Sequence, residues 1–395
     1  MAVANKIREA MERASWIRRM FEDGARMKQE LGEDKVFDFS LGNPCLDPPA
    51  AYLEALREEL QEPRPARYAY MPNAGYPDTR AAVASTLRDK RGTPFEAQHV
   101  VMTCGAAGGL NVVLKTLLNP GDEVLILAPF FPEYLFYVAN HGGVTRIVET
   151  KQDFSLSLDE IEQAISAQTR AILVNSPNNP TGRMYDEPSL MQLGELLERA
   201  GKRHGTDIYL ISDEPYGELV FDGAELPNLF SCYRRTILVN SYSKSLSIAG
   251  DRLGYIAVHP EGEDPGTLVD GMVFCNRTLG FVNAPATPQQ IIRRTSGIHV
   301  EAGEYEKRRD LLCQGLQEAG YRFTKPEGAF YLFPESPVPE EIPFVQELLD
   351  EGVLVVPGTG FGRSGYFRIA YCVEEKVIEN ALPAFDRALR RHRTD

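Results

Sequence analysis

The stretch over residues 241–255, SYSKSLSIAGDRLGY, carries the side chains most suited to chemistry. It follows the apolar run at 236–239, which is typical of a buried strand, and Lys244 lies in the hydroxyl-rich turn after that run. A lysine at such a strand end can form a Schiff base, and Arg252 supplies a cation suited to phosphate. The pattern indicates an amine beside an anion site, although a solvated loop of serine and lysine has the same local sequence.

Composition limits the class of protein. The chain has 395 residues, enough for one large and one small domain. Its 56 acidic and 42 basic residues give a net charge of -14, which disfavours nucleic acid or an anionic membrane as the main partner. The longest apolar runs are strand-sized, so no membrane span is expected. Six scattered cysteines without C-x-x-C spacing indicate a cytoplasmic protein with reduced thiols and no metal site.

Strands and helices alternate through the middle of the chain. Helices are predicted from Pro77 to a stop at Gly92, after Gly105, at 158–167 and at 187–203. Because the intervening strands are read as apolar throughout, they predict an α/β fold whose large domain has three layers, α/β/α, around a mainly parallel sheet. The predicted strands are VVMT, EVLILA, TRIVET, AILVN, DIYLISD and TILV.

A smaller α+β domain is expected from the remaining chain. Residues 4–31 have an interrupted apolar stripe typical of a helix, 289–320 are predicted as one long helix, and the segment from Cys275 as an irregular loop. We predict three parts: an N-terminal arm with part of the small domain at 1–45, the large domain at 46–285 and the small domain at 286–395. The small domain is expected to contain two strands in 321–335, a helix at 344–351, strands at VLVVP and GYFRIAYC, and a closing helix at 374–392.

Polar residues stand where the parallel strands end, which is the edge at which such sheets bind ligands. Asn179 lies in a proline-stiffened loop, and Asp213 ends the strand IYLIS with Tyr216 three residues later. A carboxylate at the tip of a buried strand needs a cationic or donor partner, such as a protonated ring nitrogen. A structural aspartate bonded only to backbone amides is the alternative interpretation.

Four further features could contact a bound ligand. The backbone N–H groups after Gly105 open a helix and can bind an anion, and Phe131 after the next strand could stack on a planar ring. Gly42 ends a short strand and allows a close approach of the backbone to a ligand. Arg368 sits within the otherwise apolar strand YFRIAY, where it is either a carboxylate ligand facing a cleft or a solvated position.

Together these motifs resemble the class I and II aminotransferases, which are fold-type I pyridoxal-phosphate enzymes. The resemblance covers about residues 37–377 and rests on four motifs in order. They are N-x-P-N-N-P-T-G, S-D-E-x-Y, S-x-S-K-x-x-x-x-x-G-x-R and a late F-R. It implies transfer of an amino group from an L-amino acid to a 2-oxo acid by a ping-pong mechanism, with pyridoxal 5′-phosphate as cofactor.

The resemblance also implies a role for each matching residue. Lys244 forms the Schiff base with the cofactor and moves the substrate proton, Asp213 bonds the pyridine nitrogen, and Phe131 stacks on the ring. Asn179 and Tyr216 bond the ring's 3′ oxygen, and Asn179–Pro180 is expected to be a cis bond. The phosphate is held by the backbone of Gly105, Ala106 and Ala107 and by the side chains of Ser241, Ser243 and Arg252.

Substrate and partner predictions follow from the same resemblance. Arg368 binds the α-carboxylate, assisted by Gly42 and Asn179, and Tyr70 reaches the phosphate of a neighbouring subunit, which implies a homodimer with shared sites. The sequence does not identify the amino acid. Arg277 and Arg183 are candidates for binding a distal carboxylate. A surface ion pair explains Arg277 better than this role does, and Arg183 is ambiguous.

Two alternative functions stay open at this point. A β-eliminating lyase or synthase would use the same residues, because the same carbanion can expel a leaving group. A ligand-sensing regulatory domain is the second, although the acidic charge disfavours binding to DNA.

Overall fold

The computed structural model describes residues 3–13, 24, 26–29, 32, 35–63 and 65–392. The helix expected over residues 4–31 is found at Asn5–Arg13, and the backbone is helical again at 26–29. The rest of that prediction lies outside the described residues.

The strands of the described chain are β1 (Phe37–Asp38), β2 (Val100–Thr103), β3 (Glu123–Ala128), β4 (Val144–Glu149), β5 (Thr169–Asn175), β6 (Tyr209–Asp213), β7 (Thr236–Ser241), β8 (Gly254–Val258), β9 (Tyr331–Leu332), β10 (Val353–Leu354), β11 (Val356–Pro357) and β12 (Phe367–Ala370). Seven of them form the central sheet, in the order β2-β8-β7-β6-β5-β3-β4. Strand β8 is antiparallel to both of its neighbours, and the other adjacent pairs are parallel.

Helices cover both faces of this sheet, which confirms the predicted three-layer α/β fold. The helices are α1 (Asn5–Arg13), α2 (Ala50–Gln61), α3 (Pro77–Arg91), α4 (Gly105–Leu117), α5 (Glu133–Asn140), α6 (Leu158–Ala164), α7 (Glu187–His204), α8 (Leu229–Cys232), α9 (Tyr242–Ser245), α10 (Pro265–Thr278), α11 (Ala286–Arg294), α12 (Ala302–Ala319), α13 (Glu341–Asp350) and α14 (Glu375–Arg390). Successive residues of a strand point to opposite faces. Leu125 therefore packs with Leu193 of α7 on one side of the sheet, and Ile126 packs with Val113 of α4 on the other.

The expectation of uniformly apolar strands is wrong for β4. Arg146 and Glu149 make this strand charged at two positions, and of its six residues only Val148 is buried. Val144 and Ile147 are apolar but exposed. The strand lies at the edge of the sheet, next to β3 alone, and its faces are largely uncovered, so its side chains need not all be apolar.

Two short sheets form the smaller unit. Strand β1 pairs in parallel with β10, and β12 lies between β11 and β9 in antiparallel pairing. Helices α12 and α14 pack on these strands through a core that contains Leu312, Phe367 and Phe385. Phe39 belongs to the same core, so the chain just after β1 packs with the C-terminal segment.

Three predicted elements of this region are wrong. Residues 289–320 are two helices, α11 and α12, because the chain turns at 295–301, where Gly297 has a φ of +82°. Cys275 lies in the last turn of α10 and not in a loop. Residues 321–335 contain the single strand β9, since the segment before it runs past Pro177 and makes only an isolated bridge, between Gly328 and Val220.

Helix α11 packs away from the smaller unit. Ile291 and Ile292 share a core with Val83 and Leu87 of α3, beside the central sheet. The domain boundaries expected after residues 45 and 285 stay a prediction. Among the helices in the described part of the chain, none is both long and apolar enough to cross a bilayer.

Candidate active site

Three adjacent parallel strands bring their carboxyl ends to one cavity of about 330 Å³. Strand β5 leads to Asn179, β6 ends at Asp213, and β7 leads to Lys244. These residues are far apart in the sequence, and the parallel sheet places them side by side. A concave site of this size with convergent polar groups is typical of small-molecule binding.

Lys244 projects into this cavity from the short helix α9, directly after β7. Its Nζ donates to the backbone oxygen of Gly42 at 2.6 Å and lies 5.2 Å from the centre of the Phe330 ring. Burial of the amine, helped by the nearby cations Arg368 and Arg252, lowers the pKa of Lys244 to about 8. A larger fraction of this amine is therefore neutral and nucleophilic near neutral pH than for an ordinary lysine.

Asp213 has one satisfied and one unsatisfied oxygen. Tyr134 donates its hydroxyl to Oδ2 at 2.5 Å, whereas Oδ1 is buried and has no hydrogen-bond partner among the described residues. Burial raises the pKa of Asp213 to about 7, although the Tyr134 hydrogen bond opposes this rise. A buried carboxylate of this kind is stabilised by a cationic donor, such as the protonated nitrogen of an aromatic ring.

An anion site lies at the start of α4. Gly105 has a φ of +70°, and a Cβ atom there would lie 2.6 Å from Nη2 of Arg252. Glycine at this position therefore lets the guanidinium approach the helix N-terminus, where N–H groups lack intrahelical acceptors. The Oγ atoms of Ser241 and Ser243 are 2.7 Å apart, and Arg252 Nη1 donates to Ser243 Oγ at 3.4 Å. This combination is suited to a phosphate group.

Asn179 and Tyr216 line the same cavity from the loops after β5 and β6. The Tyr216 hydroxyl is 2.9 Å from the hydroxyl of Tyr331, which belongs to β9. The backbone N–H of Asn179 donates to Asn175 Oδ1 at 2.8 Å. The predicted cis bond between Asn179 and Pro180 is confirmed.

Arg368 is a buried cation whose head group faces the cavity. It is 4% exposed, and among the described residues it has no ion-pair partner. It donates to Asn179 Oδ1 at 3.1 Å and to the Ser40 backbone oxygen at 2.5 Å, and its Nε lacks a partner. Its guanidinium lies over the rings of Tyr331 and Phe361. Burial lowers the pKa of Arg368, and a carboxylate of a bound molecule would be a suitable counterion.

Most of the residues predicted from the sequence line this one cavity. They are Gly42, Ala106, Ala107, Phe131, Asn179, Asp213, Tyr216, Ser241, Ser243, Lys244, Arg252 and Arg368. Gly105 borders the cavity through its contact with Arg252. Tyr70 does not line it and is 89% exposed in the single chain.

The two candidate ligands for a distal carboxylate lie elsewhere. Arg183 pairs with Glu327 at 3.2 Å and with Asp153 at 3.9 Å. The guanidinium of Arg277 lies 5.4 Å from the Phe274 ring at the end of α10. Neither arginine lines the cavity of this chain.

Sequence reasoning missed several cavity residues. Glu133 and Tyr134 come two and three residues after Phe131, so the strand-end signal that identified Phe131 could also have indicated them. Tyr331 had no such signal, because it comes from a short strand of the smaller unit. The other lining residues that we did not predict are Leu41, Leu110, Tyr137, Asn175, Pro215 and Ala249.

Comparison with known proteins gives this geometry a family. The family of aminotransferases of class I and II matches residues 34–385. The chain belongs to this family. It is therefore an aminotransferase that uses pyridoxal phosphate, and the predicted cofactor and reaction type are confirmed. The names of the relatives favour amino transfer over the lyase and sensor alternatives.

Curated relatives of this aminotransferase have similar length but different names. A probable aspartate aminotransferase of Methanocaldococcus jannaschii is 31% identical over 89% of this chain and 93% of its own. The aspartate/prephenate aminotransferase of Thermus thermophilus is 33% identical over 89% and 90%. Among solved structures, an amino transferase from Eubacterium rectale superposes with a TM-score of 0.96 at 36% identity, and the match covers all of both chains.

The cavity of this aminotransferase fits the cofactor. The unpartnered Oδ1 of Asp213 is suited to a ring N–H, and Arg252 with the start of α4 is suited to the phosphate. The amine of Lys244 lines the same cavity.

Proposed function

We propose that this aminotransferase moves the amino group of an L-amino acid to a 2-oxo acid at the Lys244 cavity, as a homodimer in the cytoplasm. The residue roles are supported by one observation: Lys244, Asp213 and Arg368 face the same cavity. Among the described residues, Oδ1 of Asp213 has no hydrogen-bond partner and Arg368 has no ion-pair partner. These groups are the base, the ring-nitrogen partner and the carboxylate ligand that the reaction needs.

Each residue then has one task. Bound pyridoxal phosphate supplies an aldehyde for the amine and a ring that accepts electrons when the substrate Cα–H bond breaks. Lys244 Nζ takes the Cα proton and later returns it, which its lowered pKa of about 8 favours. Asp213 keeps a proton on the ring nitrogen, Tyr216 and Asn179 hold the 3′ oxygen, and Phe131 covers one ring face.

Arg368 holds the α-carboxylate of the substrate in this proposal, with Asn179 and the Gly42 backbone beside it. A carboxylate replaces the counterion that this buried cation lacks in the single chain. The fixed carboxylate orients the Cα–H bond toward Lys244, since both side chains line the same cavity.

Replacing Arg368 by alanine is expected to raise KM for the amino acid by about 100-fold, because a buried charge-assisted pair is lost. The absorption spectrum of the bound cofactor is expected to stay unchanged. Steady-state kinetics with Arg387→Ala, which removes an exposed arginine of α14, provides the matched control. A KM equal to that of the wild type would remove Arg368 from the substrate site.

The homodimer is proposed from exposed aromatic residues. Tyr68 and Tyr70 are 80% and 89% exposed, and Phe274 of α10 is also exposed. The segment at 65–76 rests on the chain that follows α10, since Asn73 Nδ2 donates to the Val282 backbone oxygen at 2.7 Å. Neighbouring apolar surfaces of this kind are suited to a second subunit. We propose that Tyr70 reaches the phosphate of the neighbouring subunit.

The variant Tyr70→Phe tests this shared site. Loss of one hydrogen bond to a phosphate is expected to weaken cofactor binding by about 10-fold. Tyr68→Phe, at an equally exposed tyrosine two residues earlier, is expected to bind the cofactor as the wild type does. Sedimentation should give a dimer for all three proteins. A monomeric wild type, or equal cofactor dissociation constants for the two variants, contradicts the proposal.

The proposed compartment is supported by the thiols. All six cysteines are unpaired in the structure, and three of them are buried. Reduced cysteines are typical of cytoplasmic proteins.

A further inference from the structure

Glu133 places a carboxyl group in the substrate cavity. It is the first residue of α5 and follows Phe131 by two positions, and it lines the cavity together with Tyr331 and Arg368. Its charge is close enough to influence the pKa values of Arg368, Tyr331 and Tyr137. Glu133 is thus on the side of the cavity where the proposed function places the substrate.

The carboxyl group of Glu133 is not satisfied within the chain. Among the described residues, the buried Oε2 atom of Glu133 has no hydrogen-bond partner, and Glu133 forms no ion pair with Arg368 or with another cation. Burial raises the pKa of Glu133, and its own backbone N–H and the charge of Arg368 only partly oppose this effect. A buried carboxyl oxygen without a donor is costly, so a donor from a bound molecule would stabilise it.

Within one chain, the described lining of the cavity leaves no cation for a second carboxylate. Within the described chain its lining contains three basic side chains, Lys244, Arg252 and Arg368. The proposed function uses them for the amine, the cofactor phosphate and the α-carboxylate. A substrate with an acidic side chain would therefore bring a second negative charge toward Glu133 without a cation of the same chain to receive it.

We propose that Glu133 determines the substrate class of this enzyme: it disfavours dicarboxylic amino acids and accepts a hydrogen bond from a neutral side chain that carries a donor. The inference rests on the proposed function, because Arg368 must hold the α-carboxylate for the side chain to face Glu133. An amide side chain and the acid side chain of the same shape differ only in their contact with Glu133. Glutamine and asparagine can donate an N–H to Oε2, whereas glutamate and aspartate place like charges together.

The proposed substrate class differs from the one that the names of the aspartate aminotransferase relatives state. Their names state an acidic amino acid, and this chain is 31% identical to the M. jannaschii relative. Substrate choice depends on a few cavity contacts, so it can differ between relatives that share fold and cofactor.

The test compares amide and acid substrates in the wild type, Glu133→Gln and the control Glu195→Gln, which removes an equal charge from an exposed position of α7. The wild type is expected to use glutamine and asparagine with a kcat/KM at least about 10-fold above that of glutamate and aspartate. Glu133→Gln is expected to reduce these ratios by about 10-fold. Glu195→Gln should match the wild type.

A binding measurement gives the second readout, independent of turnover. Calorimetry with the cofactor-loaded enzyme would compare glutarate and butyrate, which have two carboxylates and one. Glu133→Gln is expected to bind glutarate about 10-fold more tightly than the wild type and butyrate equally. Unchanged substrate ratios and unchanged glutarate affinity overturn the inference while amino transfer stands. Absence of turnover with every amino acid overturns the proposed function, and glutarate binding still reports the effect of Glu133.

Discussion

Replacing Lys244 by alanine is expected to lower kcat by at least about 10³-fold, because the variant loses both the amine that attacks the cofactor and the base that moves the Cα proton. The measurement is the rate of 2-oxo acid formation from an L-amino acid. The folded state should persist, because the side chain lines a cavity and its Nζ makes one hydrogen bond, to Gly42.

Two controls separate this chemical role from a structural one. Lys307→Ala removes an exposed lysine of α12 that pairs with Glu304, and it should leave kcat unchanged. The Lys244→Ala protein should still take up pyridoxal phosphate, because Arg252, Asp213 and Phe131 are intact. A Lys244→Ala variant that turns over at the wild-type rate would contradict the assignment of this lysine.

Replacing Asp213 by asparagine is expected to lower kcat by about 10²- to 10³-fold. The amide has the same shape, but it has no negative charge to keep a proton on the ring nitrogen. The variant Tyr134→Phe is a milder comparison, because it removes only the hydrogen bond to Oδ2 of Asp213. It should cost less activity than Asp213→Asn. Equal activity of Asp213→Asn and the wild type would show that this carboxylate does not serve the reaction.

The same residue predicts how pH changes the stability of the cofactor-free protein. The pKa of Asp213 is about 7 in the folded chain and near 4 when the chain is unfolded. Between these values the folded state holds an extra proton, so the free energy of unfolding should fall as the pH rises from about 4 to about 7. Denaturant titrations across this range should show a flatter dependence for Asp213→Asn. If the free energy of unfolding changed with pH equally in both proteins, Asp213 would not lie in a buried environment that raises its pKa.

The sequence predicted three residues of the cavity lining because a parallel sheet brings the ends of its strands close together. Asn179, Asp213 and Lys244 each follow the carboxyl end of a strand, and those strands, β5, β6 and β7, are neighbours in the sheet. Each signal is a polar residue after an apolar run, which can be recognised without knowing the rest of the chain.

Residues outside those strand ends were harder to predict. Tyr331 contacts Tyr216 across 115 residues, from a two-residue strand that has no clear pattern of its own. The side of β12 that Arg368 occupies depends on strand register, and alternation alone left both sides open. The position of Glu133 near a strand end could be recognised in the sequence. That its Oε2 lacks a partner could not be, because this depends on which donors and cations the fold brings to the cavity.

The wrong helix and strand predictions have equally local causes. The break between α11 and α12 depends on a turn near Gly297, which the surrounding helical periodicity concealed. Strand β8 was missed because it begins at Gly254, two residues after Arg252, within a stretch read as a turn. Its antiparallel pairing with β7 comes from tertiary packing that sequence periodicity does not encode.

The most direct test of the central claim is the amount of 2-oxo acid that the wild-type enzyme forms from one L-amino acid without an acceptor. The account predicts about one equivalent per Lys244 site, no free ammonia, and further turnover only after a 2-oxo acid is added. Free ammonia together with 2-oxo acid beyond one equivalent in the absence of an acceptor, or no 2-oxo acid from any amino acid, would contradict it.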